Sequence, residues 1–381
     1  MSVLILLEGL GEVAALGDLL PVFDRLAATG RAGRLQVSGD PRFALFGRLA
    51  AGSSGGERTP PLGYAVALGL EEGVRPDPER IWCCLGFTHL YRKQNDLAFL
   101  SAERTGQTRT ECWTLLEALL PDLQEAGWTL HPSSRQDPRA MPVLSHAPDL
   151  DLPPLLPLRP LEWLDGCSLR DCSPSGADAR PLLQLLTVGQ LLLARHPLNL
   201  ERQRAGRLPL NTPWIWGVGR GVEYTPLPRM GQGRCWTGDP VLAGLVRASG
   251  GLVEMLDEQQ NFAPLVEAAS VAAGTGQTLL IHLTAPALLA RHGLEEARQL
   301  FLQRVNAELL EPLTQRLAAT RERVLMSGMD FVWEAGEKVH RLPWVVASGS
   351  ALARSRRFWH RGRLGVGDLL EPDAFWSLCA A

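Results

Sequence analysis

Residues 3–11 read VLILLEGLG, an apolar run that ends in a glutamate followed by glycines. Every side chain from Val3 to Leu7 is apolar, without the alternation seen when one face of a strand meets water. Such a run is typical of a strand that is covered on both faces of a parallel sheet. Glu8 follows directly, at the carboxyl end of the strand, which is where open α/β sheets place their ligands.

The segments after this strand continue an alternation of strand and helix. Apolar residues recur at helical spacing over 19–26, Gly30 and Gly33 end that helix, and residues 35–37 form a second strand. Further buried strands are predicted at residues 278–283, 324–327 and 344–347. The sequence therefore predicts an α/β protein built on a doubly wound sheet.

A different pattern interrupts this alternation in the middle of the chain. Residues 81–90 and 97–100 are predicted to be paired strands, and residues 111–124 and 181–195 have the apolar periodicity of helices. Residues 132–160 are rich in proline and aspartate, which is typical of a long surface excursion. These elements together predict a compact α+β lobe.

The interruption divides the chain into segments. The first part of the core is predicted at 1–77, the inserted lobe at 78–206 and the second part of the core at 207–381. The main sheet is predicted to resume near Leu210, and residues 294–316 are predicted to form one long amphipathic helix.

Composition limits the classes of partner. The 381 residues carry a formal net charge of -3, so no overall charge attracts the chain to nucleic acid or an anionic membrane. The seven cysteines form no C-x-x-C pair and no regular spacing, which is typical of reduced thiols. No apolar run approaches the ~20 residues of a membrane-spanning helix, and the N-terminal segment lacks the features of a signal peptide. We therefore expect a cytoplasmic protein with neither nucleic-acid nor membrane partners.

The most distinctive string is NTPWIWGVG at residues 211–219. Trp214 and Trp216 alternate as a strand would place them, and the glycines that follow let the backbone turn closely around a neighbour. Two interpretations remain open from these residues alone. One is an aromatic core strand followed by a tight turn, and the other is a loop that binds a ligand.

This string resembles the motif of archaeal-type cofactor-independent phosphoglycerate mutases, a branch of the alkaline phosphatase superfamily. With the preceding HPLNLERQRAGRLPLN it is more similar to proteobacterial proteins described as regulatory or mutase-like. LLEGLGE resembles the family's first strand and turn, and HLTAPALLARHGL and MSGMDFVWEAGEKVHRLPW resemble its C-terminal metal-binding segments. The resemblance implies an alkaline-phosphatase-like core with an inserted α+β lid lobe.

The resemblance also implies a set of site residues, because the active family holds two metals beside a serine nucleophile. Paired metals neutralise the charge of a phosphoryl group in transfer. The retained counterparts are Glu8, Asp330 and His340 for the metals and Ser38 for the nucleophile. The remaining ligand positions are occupied by residues that cannot bind a cation, namely Ala287, Arg291 and Phe331.

These replacements lead to three functional hypotheses. The first is a catalytically degenerate protein that binds a small phosphorylated or carboxylated molecule, or a protein partner, in a regulatory role. The second is an active metal-dependent phosphomutase or phosphatase with substituted ligands, and the third is an interaction protein with a vestigial cleft. The predicted ligand-binding residues are Arg291, Asn211, Trp214, Trp216 and Arg220.

The same replacements bear on cofactors. We expect no cofactor, or one divalent ion (Mn²⁺ or Zn²⁺) if the protein is active. His282 and His292 lie close to the replaced ligand positions and are candidates to substitute for them. His282 lies within a predicted buried strand, however, where we expect a hydrogen-bonded core histidine.

Overall fold

The structure is a computed structural model that describes most of the chain. It describes residues 3–10, 19–22, 31–38, 62–70, 76–131, 141–148, 160–161, 164–173, 180–222, 233–317, 323–334 and 337–348. The chain divides into two compact units, of which the first contains residues 1–57 and 225–381 and the second contains residues 58–224.

Both units contain strands and helices. The strands are β1 (Val3–Glu8), β2 (Arg31–Ser38), β3 (Ile81–Lys93), β4 (Asp96–Leu100), β5 (Trp128–Leu130), β6 (Val143–His146), β7 (Thr212–Arg220), β8 (Arg234–Trp236), β9 (Leu252–Glu254), β10 (Leu279–Leu283), β11 (Arg323–Glu334) and β12 (Glu337–Ser348). The helices are α1 (Leu62–Ala67), α2 (Ala102–Thr105), α3 (Arg109–Glu125), α4 (Leu169–Cys172), α5 (Arg180–Ala194), α6 (Pro197–Arg204), α7 (Pro240–Ala248), α8 (Ala263–Thr275), α9 (Ala285–Arg291), α10 (Glu295–Arg304) and α11 (Glu311–Leu317), with a π-helix at Val305–Leu310. Among the described residues, no helix combines the length and the apolar character needed to cross a membrane.

The first unit is centred on a sheet whose described strands run in the order β2-β12-β11-β1-β10-β8-β9. Strand β1 lies between β10 and β11 and is parallel to both, and β8 and β9 continue the parallel part. At the other side, β12 is antiparallel to both β11 and β2. Parallel strands end at the same edge, so the residues that follow β1, β8 and β10 meet there.

The two faces of the sheet in the first unit carry different side chains. Alternate residues of β1, beginning with Val3, share one hydrophobic cluster with alternate residues of β10, beginning with Leu279, and with helices α8, α10 and α11. Burial of each such side chain stabilises the fold by roughly 1.5–3 kcal/mol. Because side chains alternate along a strand, Leu6 and Glu8 of β1 face the opposite side, where His282 is the register partner of Leu6.

The second unit has its own sheet, in the order β4-β3-β6-β5, with β7 paired to β3. Strand β7 runs antiparallel to β3 from Thr212 opposite Thr88 to Arg220 opposite Ile81. The prediction that the main sheet resumes near Leu210 was therefore wrong. An apolar, aromatic pattern indicates a strand but does not specify its partner.

This pairing also moves the unit boundaries away from those predicted. Residues 58–77 and 207–224, which the sequence assigned to the core, lie in the second unit. Helix α1 contacts β3 and β7, which explains why the first of these segments belongs there.

Two further differences from the sequence expectations have local causes. The excursion predicted at 132–160 contains the buried strand β6, which is four residues long and so too short to show a period. The single helix predicted at 294–316 is divided by the π-helix between α10 and α11. Pro312 lies just beyond the π-helix and lacks the amide hydrogen that would bond to the carbonyl of Glu308.

Helix α3 is anchored by a buried ionic network. Thr108 and Glu111 form a reciprocal capping box at its N-terminus. Arg202, almost fully buried, donates to Glu111 at 2.7 Å and to the carbonyl oxygens of Thr105 and Leu208 at 2.7 and 2.8 Å. Burial by itself would raise the pKa of Glu111, but the Thr108 amide and the guanidinium groups of Arg202 and Arg207 outweigh it and lower that pKa.

Candidate functional site

Three side chains converge near the carboxyl ends of β1, β10 and β8. They are Glu8 at the end of β1, His282 in β10 and Asp239 three residues beyond β8. Each offers one ligand atom, and these atoms lie within 4.8 Å of one another. The Nε2 atom of His282 lies 3.0 Å from Oε1 of Glu8. The result is a largely buried group of two carboxylates and one imidazole.

The ring of His282 is held from both sides. It is fully buried, and its Nδ1 atom lies 3.0 Å from Oγ1 of Thr237, which is also fully buried. Burial by itself would lower the pKa of His282. The hydrogen bond to Glu8 and the charges of Glu8, Asp239 and Glu258 act in the opposite direction and raise that pKa above its ordinary value.

Asp239 is positioned by the start of α7. Its Oδ1 atom accepts hydrogen bonds from the amides of Val241 at 2.8 Å and Leu242 at 3.4 Å, which makes it the N-cap of this helix. Its own amide donates to Oγ1 of Thr237 at 3.0 Å. Pro240 occupies the first helical position, where its fixed φ suits the helix.

Gly9, the residue directly after β1, is closely packed, which restrains Glu8. Gly9 has a φ of +78°, and a Cβ atom there would lie 2.6 Å from Cα of Ala287. Only glycine fits such an approach without displacing the α9 backbone. Arg298, which is buried, donates to the carbonyl oxygen of Gly9. Glu8 is therefore presented from a fixed backbone.

Glu258 holds the segment that follows β10. Its carboxylate accepts hydrogen bonds from the amide and hydroxyl of Thr284, at 2.7 and 2.8 Å, and from the amide of Ala285 at 2.9 Å. Arg304 donates to the backbone carbonyl of Glu258 and lies over the ring of Phe262. This arrangement fixes the start of α9.

The backbone register locates the other predicted metal and nucleophile residues. Asp330 lies one residue beyond Met329, the partner of Glu8 in β11, and His340 of β12 is opposite Phe331. Ser38 is the last residue of β2, opposite Val339. The side chains of Asp330, His340 and Ser38 lie outside the described part of the chain, so these three assignments remain predictions. Arg291 ends α9, and its side chain is likewise outside the described part.

The predicted ligand residues of the tryptophan string lie in the second unit, where they have structural roles. Trp214 and Trp216 are each 1% exposed, and Trp214 packs edge-on against Phe99. Asn211 accepts from the amide of Leu90 at 2.8 Å and donates to its carbonyl oxygen at 3.1 Å. These contacts correspond to the core-strand interpretation of the string. 

Arg220 differs from the tryptophans because its side chain is about half exposed. It donates to the carbonyl oxygen of Pro148 at 3.2 Å and lies 3.7 Å from the carboxylate of Glu79.

Sequence reasoning did not identify Asp239 or the relation of His282 to Glu8. The signal for Asp239 was Asp-Pro at residues 239–240, which is typical of a helix N-cap and carries no indication of a ligand. The expectation of a hydrogen-bonded histidine at 282 agrees with its contacts to Glu8 and Thr237. Glu8 in β1 and His282 in β10 are distant along the chain, so only the order of the strands in the sheet brings them together.

Comparisons with known proteins show relatives over part of the chain. Two curated relatives are named 2,3-bisphosphoglycerate-independent phosphoglycerate mutases. The mutase from Methanosarcina mazei is 24% identical over 151 residues, 37% of this chain and 38% of the relative. The mutase from Methanothrix thermoacetophila is 27% identical over 175 residues, 42% of this chain and 43% of the relative. This chain therefore spans about two fifths of the length of the curated relatives it matches.

A solved structure covers more of the chain. The PH0037 protein from Pyrococcus horikoshii overlays on 91% of this chain and 87% of its own, with a TM-score of 0.55 at 15% sequence identity. No model of a known protein family matches the chain. The α/β, alkaline-phosphatase-like fold predicted from the sequence is confirmed. The partial similarity to curated mutases supports a mutase-like relationship.

Proposed function

We propose that this chain is a phosphoglycerate-mutase-like protein that lacks mutase turnover and binds a small phosphorylated or carboxylated molecule in a regulatory role in the cytoplasm. The observation that supports it is that Ala287 lies close to Gly9, the residue after Glu8. The resemblance to the mutases assigns an acidic metal ligand to position 287. In this chain the position carries a methyl group, and the α9 backbone at Ala287 approaches Gly9 closely.

The loss of that ligand matters because of the charge that moves in phosphoryl transfer. Two dications offset the charge on the phosphoryl oxygens and lower the pKa of the attacking hydroxyl. A methyl group has no lone pair to hold a cation. Arg291 and Phe331 occupy two further ligand positions implied by the resemblance, so the two-metal arrangement is incomplete.

Binding without turnover follows from the residue at position 291. A guanidinium can form bidentate hydrogen bonds with phosphate or carboxylate, but it cannot activate a hydroxyl as a metal does. The proposed ligand is therefore anionic, and 3-phosphoglycerate is a suitable probe because it carries both groups. A protein partner with an acidic surface is the other occupant that this chemistry would accept.

The test measures turnover and binding on the same preparation. We expect no conversion of 3-phosphoglycerate to 2-phosphoglycerate above background with Mn²⁺, Mg²⁺, Co²⁺ or Zn²⁺, while the Methanosarcina mazei mutase is assayed in parallel. Calorimetry should detect binding of 3-phosphoglycerate. Arg291→Ala should weaken it by about 1.5–3 kcal/mol, the scale of a lost charged hydrogen bond, and Arg104→Ala in the second unit should not. Metal-dependent turnover that Asp330→Ala abolishes would overturn the proposal.

A second candidate is an active metal-dependent phosphomutase or phosphatase. The grouping of Glu8, Asp239 and His282 favours it, because these residues offer alternative ligands beside the first strand. In this reading Ser38 is the nucleophile. Hydrolysis of p-nitrophenyl phosphate that requires added metal and is lost in Ser38→Ala would support this candidate over the first.

A further inference from the structure

We propose that Glu8, Asp239 and His282 bind one divalent transition-metal ion between the ends of β1, β8 and β10. Their ligand atoms already lie within 4.8 Å of one another. Three atoms that each lie ~2.0–2.2 Å from a tetrahedral ion are about 3.3–3.6 Å apart. To hold an ion, the Glu8–His282 pair at 3.0 Å would open slightly, and pairs at the 4.8 Å limit would close by about 1 Å. The inference is independent of the proposed function, because it concerns a cation and requires no turnover.

The imidazole is prepared for this role by Thr237. For Nε2 to bind an ion, Nδ1 carries the ring proton and needs an acceptor. Oγ1 of Thr237 lies 3.0 Å from Nδ1, and both side chains are fully buried. Metal-binding histidines are usually held in this way by a second hydrogen bond that sets the tautomer and the ring orientation.

The two carboxylates are prepared by the backbone. The N-cap hydrogen bonds to Val241 and Leu242 set the direction of the Asp239 side chain. Glu8 extends from a strand whose following residue, Gly9, is packed against Ala287. Pre-oriented ligands reduce the conformational entropy that binding would otherwise cost.

This site differs from the one that the mutase resemblance implies. The sheet order is β12-β11-β1-β10-β8, so Asp330 and His340 belong to strands on one side of β1. His282 and Asp239 belong to the strands on the other side. Only Glu8 is shared, and the proposed ion therefore lies towards β10 and β8.

The donor set selects the class of ion. One imidazole nitrogen and two carboxylate oxygens suit Zn²⁺ and Mn²⁺, whereas Mg²⁺ prefers an octahedron of oxygens. For a given set of such ligands, zinc binds more tightly than manganese. We therefore expect affinity in the order Zn²⁺, Mn²⁺, Mg²⁺.

The experiment uses the full chain, freed of metal with a chelator and then titrated with Zn²⁺ and Mn²⁺ in the absence of phosphoglycerate. We expect one equivalent of metal by elemental analysis and a rise in the unfolding temperature, because an ion that binds only the folded state stabilises it. Co²⁺ should give a visible absorption band that reports its coordination.

Three ligand variants test the assignment. Glu8→Gln, Asp239→Asn and His282→Gln retain much of the shape and hydrogen bonding of each residue, and each should lower zinc affinity by more than 10-fold. Thr237→Val should lower it by about 10–100-fold, the usual effect of losing the partner of a ligating histidine. His292→Gln, at the C-cap of α9, is the control for a histidine outside the proposed ligand set and should leave zinc affinity unchanged. Unfolding of each variant without metal checks that it is folded.

Two results would overturn the proposal. One is the absence of a bound equivalent at millimolar Zn²⁺, or an equivalent that the three ligand variants do not weaken. The other is a loss of affinity in Asp330→Asn with none in Asp239→Asn, which would move the ion to the β11 side. Neither result depends on whether the protein binds or converts phosphoglycerate.

Discussion

In the second unit one buried carboxylate meets two guanidinium groups, whereas near the end of β1 two carboxylates meet one imidazole. Glu111 is bound by Arg202 at 2.7 Å and Arg207 at 2.9 Å, while Glu8 shares His282 with a nearby Asp239. In the first group cations exceed anions, and in the second anions exceed cations. The first arrangement holds helices together, and the second is suited to accept a further cation.

The pKa directions express the same contrast. The amide of Thr108 and the guanidinium groups of Arg202 and Arg207 lower the pKa of Glu111. The carboxylates raise the pKa of His282 despite its complete burial. In each group, the surrounding charges stabilise the opposite charge on the titrating side chain. The sign of the charge in excess indicates the sign of the ion that each group could bind.

The largest effect that would sharpen this comparison is expected from Arg202→Met. It removes the buried partner of Glu111 and the donor to the carbonyls of Thr105 and Leu208. Breaking a buried pair by removing one member costs about 3–5 kcal/mol of unfolding free energy. Urea unfolding of the variant and the wild type measures this loss of unfolding free energy. Arg104→Met, whose half-exposed side chain pairs with Asp165, is the control and should lose less than about 1 kcal/mol. Equal losses of unfolding free energy in the two variants would show that the buried network contributes no more to stability than the exposed ion pair.

A smaller effect is expected from the charge of Glu111 itself. The folded pKa of Glu111 lies below its unfolded value, so its ionisation stabilises the fold above the unfolded pKa. That contribution is lost as pH falls through the folded pKa. At neutral pH, Glu111→Gln should therefore lower stability by about 1.5–3 kcal/mol.

The same variant gives a pH test. The difference in unfolding temperature between wild type and Glu111→Gln should shrink as the solution is acidified below about pH 4.5, the ordinary value of a glutamate. A difference that stays constant from pH 7 to pH 3 would contradict the assignment of a lowered pKa.

The smallest effect is expected at Asp239, which has a structural role beside its proposed role as a ligand. Asp239→Ala removes the N-cap of α7 and should cost about 1 kcal/mol in the absence of metal. Asp239→Asn retains a capping oxygen and should cost clearly less, although both variants should lose zinc affinity. Thermal unfolding of metal-free protein separates the two roles. If the asparagine variant were as unstable as the alanine variant, loss of the N-cap would not explain the lower stability of Asp239→Ala.

Local sequence patterns located many of the described elements. The apolar run predicted at 3–7 is β1 at Val3–Glu8, and the periodicity over 111–124 is α3 at Arg109–Glu125. Buried strands and amphipathic helices leave periodic signals that need no knowledge of the rest of the chain. The same reasoning failed for β6, where four residues are too few for a period.

The candidate site was predicted only in part. Glu8 was identified because a carboxylate that ends a parallel strand lies at the edge where ligands bind. Asn211 was predicted as a ligand residue, but both parts of its amide pair with the backbone of Leu90. A motif states which residue types are present and does not state whether their polar atoms are already satisfied.

The sequence by itself determined the α/β class, the first strand and the position of Glu8, because these depend on neighbours along the chain. Tertiary structure alone decided that β7 pairs with β3 and that Asp239 and His282 approach Glu8. The physical reason is that strand order is set by packing between distant segments. Glu8 and His282 are 274 residues apart along the chain, and only the parallel order β1-β10-β8 places their side chains beside that of Asp239.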